Sequence, residues 1–176
     1  QAGCQGARRT QEKSQGMLQR TASRRWLLAT VGLAACGLVA AGLVLARTLN
    51  LAACPLCILQ RMLYLALAAE SIAAFFLASR PIAGRLTTVL MSLTALTGGG
   101  VAAYQIWLQR FAKGASCTAD QPWWEHFVYW AGEQSPWLFE ATGLCSEAGW
   151  KFLGLSIAEW SLIAFTTFTI ATLAAA

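Results

Sequence analysis

The sequence predicts an all-α membrane protein, a four-transmembrane-helix bundle with two loops on its outer side. Hydrophobic residues make up 57% of the 176 residues and charged residues only 12%, about half the share found in soluble domains. Four apolar stretches are each long enough to cross a bilayer. The length suits one domain, which we assign to residues 26–176.

The basic residues are concentrated at the N-terminus. Six of the thirteen Lys and Arg residues lie within residues 1–25, a segment without hydrophobic periodicity that we interpret as a disordered cytoplasmic tail. A net charge of +5 is compatible with nucleic-acid binding only where the charges form a face, and these do not. The pattern favours a lipid bilayer as the partner and excludes nucleic acid.

The first span is predicted at residues 26–46, which contain no charged residue. A helix of this length rises roughly 31 Å, the thickness of the hydrocarbon core. Small residues recur in it and let membrane helices approach closely; the glycines are Gly32, Gly37 and Gly42. The second span, at about residues 57–78, follows two cysteines and ends where proline and glycine break the helix.

The third span is predicted at about residues 86–108 and the fourth at about residues 155–176. Between them lies the one long polar segment, residues 109–154. Seven of the eight tryptophans fall in this segment or beside it. Because tryptophan prefers the membrane–water interface, we expect a short amphipathic helix lying on the membrane surface there. A small folded cap with its own core is the alternative.

Four spans place both termini on the same side of the membrane. The positive-inside rule assigns the basic tail and the turn carrying Arg80 and Arg85 to the cytoplasm. The loops at residues 47–57 and 109–154 then face outward, and they carry four of the six cysteines. In a bacterial inner membrane this side is the oxidising periplasm, where disulfides persist. Charges and cysteines are independent observations, and they indicate the same orientation.

Cys54 and Cys57 form a Cys-x-x-Cys, which is typical of a redox dithiol or of half a metal site. Pro55 suits the first turn of a helix, which places Cys54 near the N-cap and Cys57 in the first turn. The helix dipole and the unpaired N–H groups are expected to lower the pKa of a thiol at this helix start. Arg61 follows Cys57 by one turn on the same face, and a charge inside a span usually marks function. Snorkelling toward the headgroups is the alternative role for Arg61.

Cys117 and Cys145 bracket the outer loop. They form either a structural disulfide that ties the loop down or an exchanging disulfide that passes electrons to the Cys-x-x-Cys. A four-cysteine zinc site fits the spacing poorly, because structural zinc sites use two closely spaced pairs and these cysteines are 28 residues apart. We therefore predict no metal site.

Two motifs resemble the disulfide bond formation protein B (DsbB) family, over about residues 24–176. One is CPLCILQR at residues 54–61, and the other is Cys145 followed by WKFLGLSI at residues 150–157 and EWSL at residues 159–162. The resemblance implies an inner-membrane protein-dithiol:quinone oxidoreductase. Its partners would be a periplasmic thioredoxin-like dithiol oxidase (DsbA-like), which it reoxidises, and a membrane quinone, ubiquinone or menaquinone, which takes the electrons.

The resemblance also implies a catalytic role for each of the four cysteines. Cys117 is attacked by the partner's thiolate, and Cys145, once released, attacks Cys54. Cys57 then faces the quinone as a thiolate. Arg61 stabilises that thiolate and the reduced quinone.

Two positions depart from the family pattern. Gln60 stands where some relatives carry an acid. Gln105 stands where well-known relatives carry a histidine, so that a quinone contact there would come from an amide. Glu70, nine residues after Arg61, lies on the opposite helix face, and we interpret it as packed between helices or as part of a proton path. His126, the one histidine, is interpreted as a surface residue of the loop.

The sequence is also compatible with two other functions. One is that of a paralogue with a different, dedicated thioredoxin-like partner. The other is that of a tetraspan structural or metal-binding protein whose loop disulfide is only a staple. Thiol reactivity separates them, because a structural disulfide resists a mild reductant and does not depend on Cys57.

Overall fold

Four long helices form the bundle in this computed structural model, which describes residues 2–111, 122–146 and 150–175. They are α1 (Ala2–Thr48), α2 (Pro55–Leu77), α3 (Pro81–Phe111) and α6 (Ile157–Ala174). Two short helices, α4 (Trp123–Gln134) and α5 (Pro136–Phe139), lie between α3 and α6 in the chain. An antiparallel hairpin of β1 (Lys151–Phe152) and β2 (Leu155–Ser156) leads into α6.

Each long helix contains a segment that is long and apolar enough to cross a membrane, at residues 22–48, 55–77, 82–111 and 157–174. Large apolar side chains cover the outside of the bundle; Leu33 and Phe76, for example, are exposed. Such surfaces are stable when lipid rather than water surrounds them. The predicted all-α, four-span architecture is confirmed, and the chain is a multi-pass membrane protein.

The N-terminal tail differs from the expectation of disorder over residues 1–25. Helix α1 begins at Ala2 and continues into the first span. Once a helix is nucleated, each further residue adds a hydrogen bond at little cost. Arg and Gln are the most frequent residues of the tail and are good helix formers, so the helix of the span propagates through it.

The helices pack in a sequence that leaves one side of the bundle open. α1 packs against α2, α2 against α3, and α3 against α6, whereas α1 and α6 touch only sparsely. The closed side is centred on Phe165, whose ring stacks on Tyr64 at 4.2 Å, while Phe168 meets Tyr64 edge-on at 6.2 Å. The gap between α1 and α6 is therefore the place where a cavity can form.

Gly98 is a point of close approach between α3 and α6. A Cβ atom at this position would collide with the ring of Phe165. Gly32 has the same role between α1 and Ser71 of α2, which confirms the predicted close approach there. At the other two glycines of the first span, a Cβ atom would meet no neighbour within 4 Å, so their predicted packing role is wrong.

We expect Gly98→Ala to destabilise the bundle by about 1–3 kcal/mol, the usual cost of overpacking a close contact. Gly100→Ala is the matched control, because a Cβ there meets nothing within 4 Å and alanine favours a helix more than glycine does. Thermal unfolding in detergent measures both variants. A Tm for Gly98→Ala at or above that of Gly100→Ala would contradict this packing.

The fourth span, predicted from about residue 155, begins at Ile157 in the structure, and a tight turn precedes it. Leu153 and Gly154 adopt positive φ angles of 52° and 82°, which two-residue hairpin turns require. The chain therefore folds back as a hairpin before α6 starts. Ser156 then caps α6: its hydroxyl accepts from the Glu159 N–H at 3.4 Å, and the Glu159 carboxylate accepts from the Ser156 N–H at 2.7 Å.

Helix α4 is the amphipathic helix predicted in the outer loop. Val128 and Glu125 are buried on the face that packs toward α2, whereas Trp123 and Trp130 are exposed on the other face. An exposed aromatic face suits the membrane interface. Because the buried face rests on the bundle, the helix does not build the separate core of a cap. His126 is exposed, as predicted.

Candidate active site

The cysteine pair begins α2. Cys54 is the N-cap residue, with extended backbone angles of φ −85° and ψ 160°, and Pro55 is the first helical residue, as predicted. The Cys54 Sγ accepts the N–H of Cys57 at 3.3 Å. The helix geometry brings the two sulfurs to 2.7 Å, so that little movement separates the dithiol from a disulfide.

The outer loop brings Cys145 to the same place. The N–H groups of Thr142 and Gly143 both donate to the carbonyl of Ala53 at 2.9 Å, which fixes this loop beside the residue before Cys54. Glycine is needed at position 143, because a Cβ there would collide with a neighbouring backbone carbonyl. Cys145 consequently lies within hydrogen-bond reach of the Cys54 thiol. The predicted neighbours Cys54 and Cys145 are thus adjacent, although they are far apart in sequence.

The contact between Cys54 and Cys145 shifts the pKa values of the two thiols in opposite directions. The hydrogen bond from Cys54 lowers the pKa of Cys145 below its ordinary value, and the backbone N–H of Leu56 adds to the effect. The bond to Cys145, the bond to Cys57 and burial raise the pKa of Cys54 well above its ordinary value. The lowered thiol pKa expected at this helix start does not apply to Cys54, because donation to Cys145 and Cys57 and burial outweigh the helix dipole there. Of this pair, Cys145 is therefore the thiol that loses its proton more readily.

We expect Cys145 in the reduced protein to react with alkylating agents at a lower pH than an ordinary thiol does. Cys54→Ala removes the donor that lowers the Cys145 pKa, so less thiolate is present and alkylation near neutral pH should slow about 3- to 10-fold. Iodoacetamide pulses across a pH series, followed by mass spectrometry of the Cys145 peptide, measure this. Cys36→Ala is the control, and an unchanged Cys145 profile in Cys54→Ala would contradict the assignment.

Two buried glutamines lie behind the dithiol. Gln105 Nε2 is 3.2 Å from Cys54 Sγ and 3.1 Å from Cys57 Sγ. Gln60 Nε2 donates to Gln105 Oε1 at 2.6 Å. The resemblance implies a quinone contact at Gln105, but its amide contacts the sulfurs, and Gln60 rather than Gln105 lines the adjacent cavity. Gln60 follows Cys57 by one helical turn, and this spacing is the sequence signal that could have identified Gln60 as a residue of the cavity.

That cavity, of about 610 Å³, fills the gap between α1, α2 and α6. Apolar side chains of α1 and α6 form most of its wall. α2 supplies most of its polar side chains, which include Cys57, Gln60 and Arg61. Leu38 and Ile163 line it and are also exposed on the lipid-facing surface, so the cavity borders the bilayer. A molecule dissolved in the membrane has a direct route to it.

An aromatic stack forms the outer wall of this cavity. Trp150 stacks on Phe152 at 5.7 Å, and Phe152 meets the ring of Trp160 at 6.1 Å. The Trp160 indole N–H donates to the Phe152 carbonyl at 3.1 Å, which ties α6 to the hairpin. All three residues line the cavity. The stack offers flat apolar surfaces to a ring-shaped ligand.

Arg61 lies between this cavity and a smaller one of about 260 Å³ beneath α5. Its guanidinium donates to the carbonyl of Leu138, and Arg47 of α1 donates to the neighbouring carbonyl of Trp137 at 3.4 Å. Two arginines, one from α1 and one from α2, therefore tether α5 to the bundle. The predicted placement of Arg61 on the face of Cys57 is confirmed, since both line the large cavity. Arg47 has no distinct sequence signal, because a basic residue at the end of a span is ordinary.

The remaining candidate residues lie elsewhere. Cys117 is outside the described residues. Cys36 is exposed on the apolar surface of α1. Thr94 of α3 donates to the Glu70 carboxyl at 2.8 Å, which fits the interpretation that Glu70 is packed between helices. In the parts of the chain that the structure describes, no three His, Cys, Asp or Glu side chains are grouped so that they could hold a metal ion.

Comparison with known proteins places the chain in a family. The family model described as "Disulfide bond formation protein DsbB" matches residues 24–175. The chain is 43% identical over 145 residues to disulfide bond formation protein B of Dechloromonas aromatica, covering 81% of this chain and 85% of the relative. It is 33% identical over 149 residues to the protein of that name from Marinobacter nauticus, with the same coverage. Because the family match extends over all four spans and the cysteine-bearing loops, the chain belongs to the DsbB family.

Proposed function

We propose that this chain is an inner-membrane protein-dithiol:quinone oxidoreductase. It reoxidises a periplasmic, thioredoxin-like dithiol oxidase of the DsbA type and passes the electrons to a membrane quinone. The name that its relatives carry, disulfide bond formation protein B, supports the general role. The cysteine pair beside a lipid-facing cavity supports the quinone as acceptor.

The single observation that carries the proposal is the position of Cys57. Its side chain lines the 610 Å³ cavity, while Cys54 is 4% exposed and lies toward the outer loop. Cys54 therefore faces the side from which a protein partner delivers electrons, and Cys57 faces the membrane. A quinone ring needs a flat apolar site with a few polar groups, and the aromatic stack, Arg61 and Gln60 supply these.

Electrons move through the chain by thiol–disulfide exchange. The partner's thiolate attacks Cys117 of the Cys117–Cys145 disulfide and releases the Cys145 thiolate. Cys145 attacks Cys54 of the Cys54–Cys57 disulfide and releases the Cys57 thiolate. The partner's second thiol then displaces Cys117 and leaves as a disulfide. The Cys117 thiolate attacks Cys145 of the Cys145–Cys54 disulfide, which re-forms Cys117–Cys145 and releases Cys54, so that Cys54 and Cys57 remain as the reduced pair.

The pKa of Cys145 fits the second step, because the nucleophile in disulfide exchange is a thiolate. Cys54 is adjacent to it and is the sulfur that it must reach. The quinone accepts two electrons and two protons, and the cysteine pair returns to a disulfide. The sum is one partner dithiol oxidised for each quinone reduced to quinol.

The distribution of charge supports a periplasmic position for the cysteines. Arg24 of α1 donates to the Gly84 carbonyl and to the Thr88 hydroxyl, both at 2.7 Å. The basic end of the first span and the turn between α2 and α3 therefore lie at one end of the bundle, and the cysteines lie at the other. The positive-inside rule makes the arginine end cytoplasmic.

The test is an assay with purified protein, a water-soluble short-chain ubiquinone and a reduced thioredoxin-like dithiol oxidase. Loss of the ultraviolet absorbance of the quinone should match partner disulfide formed, mole for mole. A naphthoquinone run in parallel distinguishes the two quinone classes. Absence of quinone loss with both acceptors, or quinone loss without partner oxidation, would contradict the proposal.

A further inference from the structure

Gln60 and Gln105 form a neutral hydrogen-bonded pair inside the membrane domain. They are 3% and 2% exposed, and they come from different helices, α2 and α3. Burying an amide is costly unless each polar atom finds a partner. Their mutual bond of 2.6 Å meets part of this need. The nitrogen of Gln105 finds its partners in the sulfurs of the two cysteines, so the glutamine pair can affect the chemistry of these thiols.

The orientation of the Gln105 amide follows from its contacts. Its nitrogen carries two hydrogens and no free lone pair for accepting a bond, and it lies 3.2 Å from Cys54 Sγ and 3.1 Å from Cys57 Sγ. Its oxygen is occupied by the N–H of Gln60. A rotated Gln105 would place its own NH₂ against the NH₂ of Gln60. Gln60 therefore holds Gln105 as a donor to both sulfurs.

We propose that Gln105 stabilises the reactive thiolate of the cysteine pair and that Gln60 is the residue that positions it. This inference rests on the proposed redox function of the pair. Two N–H donors aimed at sulfur favour the anionic form over the thiol, since hydrogen bonds to a charged acceptor are stronger. Because the two donors reach both sulfurs, the stabilisation persists whichever sulfur carries the charge.

This role is separate from that of Arg61. Arg61 lines the cavity and donates to a loop carbonyl, so it can act on the electron acceptor and on α5. Gln105 contacts the sulfurs and does not line the cavity. An amide also does not titrate, so its donation is the same at every pH at which the protein is folded. Loss of Gln105 should thus change the thiolate population and leave quinone binding intact.

The test compares Gln105→Met, Gln60→Met and Gln134→Met, which all exchange an amide for a side chain of similar length. Gln134 is an exposed glutamine of α4 and serves as the control. In the reduced protein, the rate of Cys57 alkylation by iodoacetamide near neutral pH should fall about tenfold in Gln105→Met and about threefold in Gln60→Met. Both deficits should disappear near pH 10, where an unassisted thiol is also ionised.

Superimposable profiles for Gln105→Met and Gln134→Met would overturn the inference. A deficit that persists unchanged at high pH would also overturn it, because it would reflect access to the sulfur and not ionisation. Gln60→Met addresses the same point without altering the residue that contacts sulfur, so a folding defect in Gln105→Met does not end the test. The alkylation assay contains no quinone and no partner. A shifted profile in a chain that fails to reduce quinone would therefore reject the proposed function alone.

Discussion

We expect Cys57→Ser to abolish quinone reduction, with a loss in rate of at least about 1,000-fold. Cys57 is the member of the dithiol that lines the cavity between α1 and α6. A serine hydroxyl neither ionises near neutral pH nor forms a disulfide with Cys54, so the pair can no longer carry two electrons. Quinone absorbance in the presence of the reduced partner measures the effect.

Cys36→Ser is the matched control, because Cys36 is exposed on the apolar outside of α1. A second readout shows that Cys57→Ser retains the site. Cys54 and Cys145 remain adjacent in this variant, so a mild chemical oxidant should link them, and non-reducing peptide mapping detects that disulfide. Quinone reduction that continues in a variant containing this link would show that Cys57 is not the electron donor.

The features that the sequence predicts correctly are set by neighbouring residues. Cys54, Pro55 and Cys57 lie within four consecutive positions, and the preferences of an N-cap and of proline decide their geometry before any tertiary contact forms. The spans are predictable for a similar reason, since bilayer thickness fixes how many apolar residues a helix needs. The errors at the ends of the spans are a few residues, as expected where caps and turns compete.

The contacts that the sequence does not predict depend on register between distant segments. Gln60 and Gln105 are 45 residues apart, and their bond requires a particular rotation of α2 against α3. Periodicity indicates that Gln60 shares a face with Cys57, but it does not indicate which residue of α3 meets that face. The amide pair thus emerges only from the packed structure.

The outer loop shows the same limit. Cys145 reaches Cys54 because two backbone N–H groups bind the Ala53 carbonyl, and backbone bonds between loops leave no pattern of side chains. The hairpin before α6 is not predicted from the sequence for another reason. It is only six residues long, and its apolar residues continue those of α6, so a hydropathy argument merges the two. Leu153-Gly154 is the one local turn signal.

Arg61→Met should lower kcat/KM for the quinone about 10- to 100-fold, the range expected when a hydrogen bond to a charged group is lost from a buried site. Arg61 is the charged residue of α2 that lines the cavity beside Cys57. Removing it takes a positive charge away from the place where the thiolate and the reduced quinone carry negative charge. Initial rates over a range of quinone concentrations, at saturating partner, separate kcat from KM.

Arg47→Met is the control that isolates the charge. Arg47 and Arg61 donate to neighbouring carbonyls of α5, those of Trp137 and Leu138, and both line the small cavity beneath that helix. Only Arg61 also lines the large cavity. Arg47→Met therefore weakens the hold on α5 and leaves the charge beside Cys57 in place, so its kcat/KM for quinone should stay within about threefold of the unaltered chain.

Equal losses in the two variants would mean that the position of α5, and not the charge of Arg61, sustains the rate. Arg61→Lys then distinguishes an effect of the positive charge from an effect of the guanidinium geometry. Lysine keeps the positive charge but lacks the planar fork that lets one arginine face both a carbonyl and a cavity. Recovery of most of the activity in Arg61→Lys would make the charge the dominant contribution. A loss as large as that of Arg61→Met would assign the effect to the simultaneous hold on the Leu138 carbonyl and the cavity, because only the geometry of the donor differs.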